Sequence, residues 1–93
     1  MAREVRDNVE RSRFELVDDG RVLGYADYLV EADRMVFPHT VIEPSLRGQG
    51  LGAELVRGAL DQVRASGRRV EPRCWYVAQF IEEHAEYQEL LAA

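Results

Sequence analysis

Six residues, Arg47-Gly48-Gln49-Gly50-Leu51-Gly52, carry the most chemistry in this chain, and a lone thiol at Cys74 and an imidazole at His39 come next. The glycines leave the backbone bare just ahead of an apolar, helix-periodic stretch. A helix start presents unpaired N–H groups and the positive end of the macrodipole. Without side chains in the way, a phosphate or pyrophosphate can come close to those N–H groups. Arg47 adds a charged fork beside them. Together these features make a nucleotide-type anion cradle. Cys74 stands where a short strand is expected to end and a helix to begin. A thiol there faces a helix dipole and can act as nucleophile or proton donor; the bland alternative is a small buried hydrophobe. An imidazole is the natural base for an ammonium group near neutral pH. Alternation groups His39 with Met35, Phe37 and Val41, an apolar set, which instead suggests a histidine on a sheet face.

The elements that must position these groups follow from patterning. Val9 to Val17 alternates in part, with Phe14 and Leu16 on one face. Asp18-Asp19-Gly20 signals a turn, with Gly20 able to take positive φ. Arg21 to Val30 is rich in β formers, Ala32-Asp33 closes a second turn, and Arg34 to Ile42 reads as a third strand. Pro38 inside that strand cannot donate to a ladder, so it belongs at an edge, a bulge or a local opening. Leu51, Leu55, Val56, Ala59, Leu60 and Val63 share one helical face, and Gly67 suits the residue beyond the helix end. Arg69 to Cys74 is a fourth strand with Val70 inward. Tyr76 to His84 is a second helix, and Glu86 to Leu91 a helical tail. The expected order is β-β-β-α-β-α-α. This is an α+β fold, an antiparallel β-meander followed by β-loop-α-β-α with helices packed on the sheet.

Composition narrows the function. The net charge of −5 argues against a nucleic-acid partner, because phosphate backbones repel an acidic surface that lacks a segregated basic stripe. Arg68-Arg69 is the longest basic run and suits a helix end. One cysteine allows no internal disulfide, which fits a reducing compartment. The segment Met1 to Asp7 has no apolar core for a leader, and no apolar run approaches the ~20 residues that cross a membrane. The expectation is a cytoplasmic chain with no membrane partner. Two distant histidines and one cysteine form no metal-ligand spacing, so no metal is expected.

Four readings of the glycine loop compete. A phosphate loop of the Gly-x-x-x-x-Gly-Lys-Ser/Thr type lacks its Lys-Ser/Thr. A dinucleotide loop needs Gly-x-Gly-x-x-Gly inside a βαβ unit, and here antiparallel strands precede Gly-x-Gly-x-Gly. A turn that binds nothing would carry three entropically costly glycines without need. In the fourth reading, Arg47 to Gly52 matches Arg/Gln-x-x-Gly-x-Gly/Ala, and the chain resembles the GNAT acetyltransferase superfamily, where this loop grips the pyrophosphate of acetyl-CoA. Thr40-Val41-Ile42-Glu43-Pro44 leading to Arg47, Cys74 before a helix, and His84 with Glu86-Tyr87 resemble a minimal GNAT-like family of about this length. The likeness runs from about Val9 to Leu91, and residues 1–93 are then a single minimal N-acetyltransferase domain. Trp75 and Ala85 stand where that family often has proline.

The resemblance implies acetyl-CoA as cosubstrate and an acetyl transfer to an amine, either a small amine or a protein side chain or N-terminus. It implies that Thr40, Val41, Ile42 and Glu43 pair with the pantetheine arm as an extra strand, and that Arg47, Gly48, Gln49, Gly50, Leu51 and Gly52 hold the pyrophosphate. An N–H of that strand could polarise the thioester carbonyl. Cys74 would form a transient acetyl-cysteine or protonate the departing thiolate, and His39 would be the base. Glu43 is a weaker base candidate, and Tyr76 could donate a proton but reads better as a packing residue. His84 and Tyr87 read as packing for the last helix. Larger relatives carry helices that wall off the acceptor; Asp18-Asp19-Gly20 running straight into a strand leaves them no room, so an open acceptor face is expected. A monomer or weak homodimer fits this size. A second class remains open: a CoA- or acyl-CoA-binding module without turnover, which Cys74 and His39 buried and apart would favour. A third, an interaction domain, requires the loop to bind nothing.

Overall fold

The computed structural model describes residues 3–92; Met1 and Ala2 of the segment read for a leader, and Ala93, lie outside them. Seven strands and two helices follow in chain order: β1 Arg3–Asn8, β2 Arg13–Asp18, β3 Arg21–Asp27, β4 Leu29–Glu31, β5 Arg34–Phe37, β6 Thr40–Ile42, α1 Leu51–Ser66, β7 Arg69–Pro72 and α2 Trp75–Glu83. Short 3-10 turns span Val9–Arg11, Pro44–Leu46 and Ala85–Leu90. The α+β class is as expected. The strands form a sheet ordered β1-β2-β3-β6 and a second ordered β4-β5-β7.

The first strand is a correction. Arg3–Asn8 pairs antiparallel with β2 along its whole length, although only Val5 in it is apolar. Its register partners supply the strand, not its own propensity, which is low for such charged residues. Asn8 then caps the next turn by accepting from the Arg11 N–H at 3.2 Å. The first strand-to-strand connection is therefore Val9 to Ser12, not Asp18 to Gly20. The latter is a hairpin whose Asp19 (φ 53) and Gly20 (φ 87) are both left-handed, the twist that tight hairpins favour.

The two long strands expected at Arg21 to Val30 and Arg34 to Ile42 are each cut once. Tyr28 interrupts the first: its N–H donates to Ser12 O at 2.9 Å and its ring is buried 5.3 Å from that of Phe14. Pro38 and His39 interrupt the second. The cuts face each other, because the Asp27 N–H still donates to His39 O at 3.1 Å. Below the cut, β4 and β5 join β7; above it, β3 and β6 join β1 and β2. Phe37 O accepts from the N–H groups of both Arg73 (3.0 Å) and Cys74 (2.8 Å), which ends the parallel β5–β7 pairing. Beyond that point the two sheets part, and β6 is left as an edge.

Helix α1 covers the face of the first sheet that carries Phe14, Leu16 and Ala26. Leu51, Leu55, Val56, Ala59, Leu60 and Val63 are all buried, as the helical spacing predicts. Each fully buried leucine or valine among them contributes about 1.5–3 kcal/mol. Gly67 (φ 80) ends the helix, its N–H donating to Arg64 O.

Gly24 explains how β3 and β6 come so close. A Cβ there would stand 2.7 Å from Val41 O and 2.5 Å from Ile42 Cδ1. A strand alanine is intrinsically easier to order than glycine by about 0.5–1 kcal/mol. The carbonyl cannot rotate away as a side chain can, so the clash wins. Gly24→Ala is expected to lose about 1–3 kcal/mol, read as a lower Tm by circular dichroism. An unchanged Tm would show that β6 can withdraw freely from β3.

Candidate active site

The glycine loop follows β6 through the turn Pro44–Leu46. Gly48 (φ 85) and Gly50 (φ 77) are left-handed, and a Cβ at either would meet nothing within 4 Å. Helix α1 starts at Leu51 with no side-chain cap on its first turn. The first bond of the helix runs from the Glu54 N–H to Gly50 O at 3.2 Å. The amides ahead of it are therefore without intrahelical partners, beside an exposed Arg47. Among the described residues Arg47 makes no ion pair. Gly52 differs from its neighbours: a Cβ there would stand 2.7 Å from Tyr76 Oη. It is glycine because α2 leans on α1, so only two of the three glycines are bare toward open space.

A cleft of about 680 Å³ runs from this loop to the parting of the sheets, within the usual size of a small-molecule site. Of the ligand-binding residues expected from sequence, Thr40, Ile42, Arg47, Gly48, Gly50, Leu51 and Gly52 line it. The side chains of Val41, Glu43 and Gln49 are not among its walls. Val41 lies opposite Tyr25 in the β3–β6 register. Glu43 accepts from Arg21 Nη2 at 2.7 Å and from Ser45 Oγ at 3.3 Å. The backbone offers more. Glu43 N–H bonds to Leu23 O, and His39 O accepts from Asp27. Alternation along a strand then turns the N–H and C=O groups of Thr40 and Ile42 away from β3, along the edge that no strand of their sheet covers.

Cys74 is the residue before α2 and sits under the cleft, 7% exposed. Its Sγ lies 3.7 Å from Thr40 Oγ1. Its place follows from Pro72, which ends β7, and from the two hydrogen bonds that Phe37 O accepts from Arg73 and Cys74, which fix the turn into α2. Tyr76 lines the same cleft; burial first, and then the negative charge of Glu83, push its phenol up, so it remains a hydrogen-bond donor at neutral pH. Trp75 stands at the rim, 73% exposed.

His39 also lines the cleft, but not as alternation suggested. Met35 and Phe37 are core residues, whereas the His39 side chain is 59% exposed. The cut at Pro38 resets the strand's alternation. His39 Nε2 stands 2.5 Å from Asp27 Oδ2 on β3. Asp27 carries no motif and was not singled out from sequence; only the β3–β6 register reveals it. His84 and Tyr87 lie away from the cleft. His84 stacks on Phe80 at 3.9 Å, with Nδ1 2.7 Å from Phe80 O. Buried Tyr87 donates to Asp61 Oδ1 at 2.7 Å and accepts from Arg57 at 3.2 Å. Both fasten the C-terminal segment to the helices.

This architecture, an uncapped glycine loop on a helix start beside a parted sheet, coincides with a family assignment. The profile of the GCN5-related N-acetyl-transferase family matches residues 13–90, and the chain belongs to that family. Its relatives sharpen the comparison. Protein NATD1 of Bos taurus is 35% identical over 46 residues, covering 50% of this chain; the match spans 41% of that curated relative's length. A GCN5-like protein from Staphylococcus aureus, solved by NMR, matches with a TM-score of 0.71 at 21% identity, over 97% of this chain and 88% of the other. The ribosomal-protein-S18-alanine N-acetyltransferase of Escherichia coli matches with a TM-score of 0.60 at 24% identity, over 71% and 44%. At such identities the likeness is one of fold. A GNAT family acetyltransferase of Brucella melitensis, solved in complex with acetyl-CoA, matches with a TM-score of 0.54 at 27% identity, over 61% and 41%. No helix among the described residues is long and apolar enough to cross a membrane.

Proposed function

We propose that this chain transfers the acetyl group of acetyl-CoA to an amine. The observation that carries the reading is the uncapped start of α1 behind left-handed Gly48 and Gly50, opening on a cleft that also holds the free edge of β6 and Cys74. These residues fit the cosubstrate. The first-turn amides and Arg47 suit a diphosphate. The outward backbone groups of Thr40 and Ile42 suit the amides of an extended pantetheine arm, in the manner of strand addition. Bound there, the cosubstrate supplies a thioester as the acyl donor.

The chain's own residues then have distinct tasks. A backbone N–H of β6 polarises the carbonyl. His39 takes a proton from the amine as its nitrogen forms the new bond to the carbonyl carbon. The carbon–sulfur bond breaks, and Cys74 gives a proton to the departing thiolate; in the other arrangement the Cys74 sulfur first takes the acetyl group while its thiol proton passes to the CoA thiolate, and the amine then displaces the Cys74 thiolate. Glu43, held by Arg21, is the poorer base. Cys74 and His39 share one cleft, which favours turnover over a silent binding module.

Thermal shift with CoA tests the binding half. A ligand that binds only the folded state at a hundred times its Kd stabilises by about 2.7 kcal/mol. For a chain of this size that raises Tm on the order of 10 °C. No shift at millimolar CoA defeats the reading. Thiol release from acetyl-CoA across a panel of small amines and peptides tests the other half, and binding without release on any of them turns the assignment to a CoA-binding module.

A further inference from the structure

We infer that Asp27 is a positioning residue for His39: it fixes the imidazole with its proton on Nε2, so that Nδ1 is the nitrogen that receives the proton of the acceptor amine. The inference rests on the reading of His39 as the base.

The geometry is specific. His39 Nε2 and Asp27 Oδ2 are 2.5 Å apart. A nitrogen lone pair and a carboxylate oxygen repel at that separation, so a proton lies between them. In neutral imidazole one nitrogen carries the proton and the other the lone pair. With Nε2 protonated, the free lone pair is on Nδ1.

The neighbouring charges leave this pair alone. Arg13 lies directly opposite Asp27 in the β2–β3 register and would be its natural partner. Instead Arg13 donates to Glu15 at 2.8 Å and lies 4.2 Å over the Tyr25 ring. Arg73, next to Cys74 on the far wall of the cleft, donates to Glu71 at 2.7 Å. The cations facing the site from β2 and from the end of β7 are thus engaged elsewhere, and Asp27 keeps the histidine. Asp27, Tyr25 and Glu15 share the face of the sheet opposite α1. The half-exposed His39 side chain, held by Asp27, lies on the side of the sheet that helix α1 leaves open and borders the cleft, the side from which an amine on a large body can reach it.

The test combines spectroscopy and kinetics on the full chain. Long-range proton–nitrogen NMR of histidine-labelled protein, at a pH where His39 is neutral, should show His39 with its proton on Nε2 alone. In Asp27→Ala, both tautomers should appear. With acetyl-CoA and the best amine from the panel, kcat of Asp27→Ala should fall tenfold or more while the acetyl-CoA KM stays within twofold, and Asp27→Glu should recover part of the rate. A wild-type His39 protonated on Nδ1 overturns the inference whether or not turnover is found. So does an Asp27→Ala variant as fast as wild type while His39→Ala is slow. A His39→Ala variant with full rate removes the base reading itself, and with it this role for Asp27, but leaves CoA binding standing.

Discussion

Gly50→Glu is expected to abolish the thermal shift that CoA gives the wild-type protein. Gly50 is the last residue before α1, left-handed at φ 77, with open space where a Cβ would stand. Glutamate there puts a side chain and a negative charge into the space proposed for the diphosphate. At a hundredfold excess of ligand over Kd the lost stabilisation is about 2.7 kcal/mol. The variant also carries left-handed backbone strain of about 1–2 kcal/mol, so its own Tm drops before any ligand is added. Gly50→Ala separates the two effects. It carries the same strain without charge or bulk, so it should melt early yet keep most of the CoA shift. A full shift in Gly50→Glu would mean that the diphosphate does not bind at this loop. Substitution at Gly52 would be a poorer probe, because the clash there is with Tyr76 and mixes helix packing with binding.

Cys74→Ala should lower turnover by about a hundredfold or more, the usual contribution of a well-placed proton donor, while the CoA thermal shift persists. The residue is buried, but alanine removes a single atom beyond Cβ, so the variant is expected to fold. Thiol release monitored by chromophore gives the rate. Mass spectrometry of the wild-type protein mixed with acetyl-CoA alone, without amine, separates the two roles: an acetyl adduct on Cys74 marks the covalent route, and its absence with retained turnover marks the proton donor. Cys74→Ser tests the need for a thiol in either role. It keeps a hydroxyl within reach of Thr40 but is a weaker acid and nucleophile, so its rate should fall close to that of alanine. Undiminished turnover in Cys74→Ala would place the thiol among the packing residues.

Local chemistry was legible in the sequence wherever the causes were local. The apolar face of α1 repeats at helical spacing, and all six of its residues are buried. Gly67 closes the helix because a left-handed residue satisfies the last carbonyls. The glycine loop could be found for the same reason: positive φ and open space are properties of a residue and its immediate neighbours. Pro38 could be read as an opening because a missing N–H is a fact about one residue.

What only the tertiary structure decided involves partners distant in the chain. Arg3–Asn8 becomes a strand because β2 pairs with it. The two long strands are cut because Tyr28 turns into the core and Pro38 cannot bond, and both cuts fall on the same line, which no single stretch of sequence displays. Gly24 and Gly52 are set by close approach to Val41 and Tyr76. His39 left its expected apolar company because the break at Pro38 reset the alternation, and it met Asp27 because β6 pairs with β3 in that register. Periodicity, capping and turn geometry are short-range and written in order along the chain. Register, close approach and charge pairing are long-range, and they exist only once the sheets have been brought together.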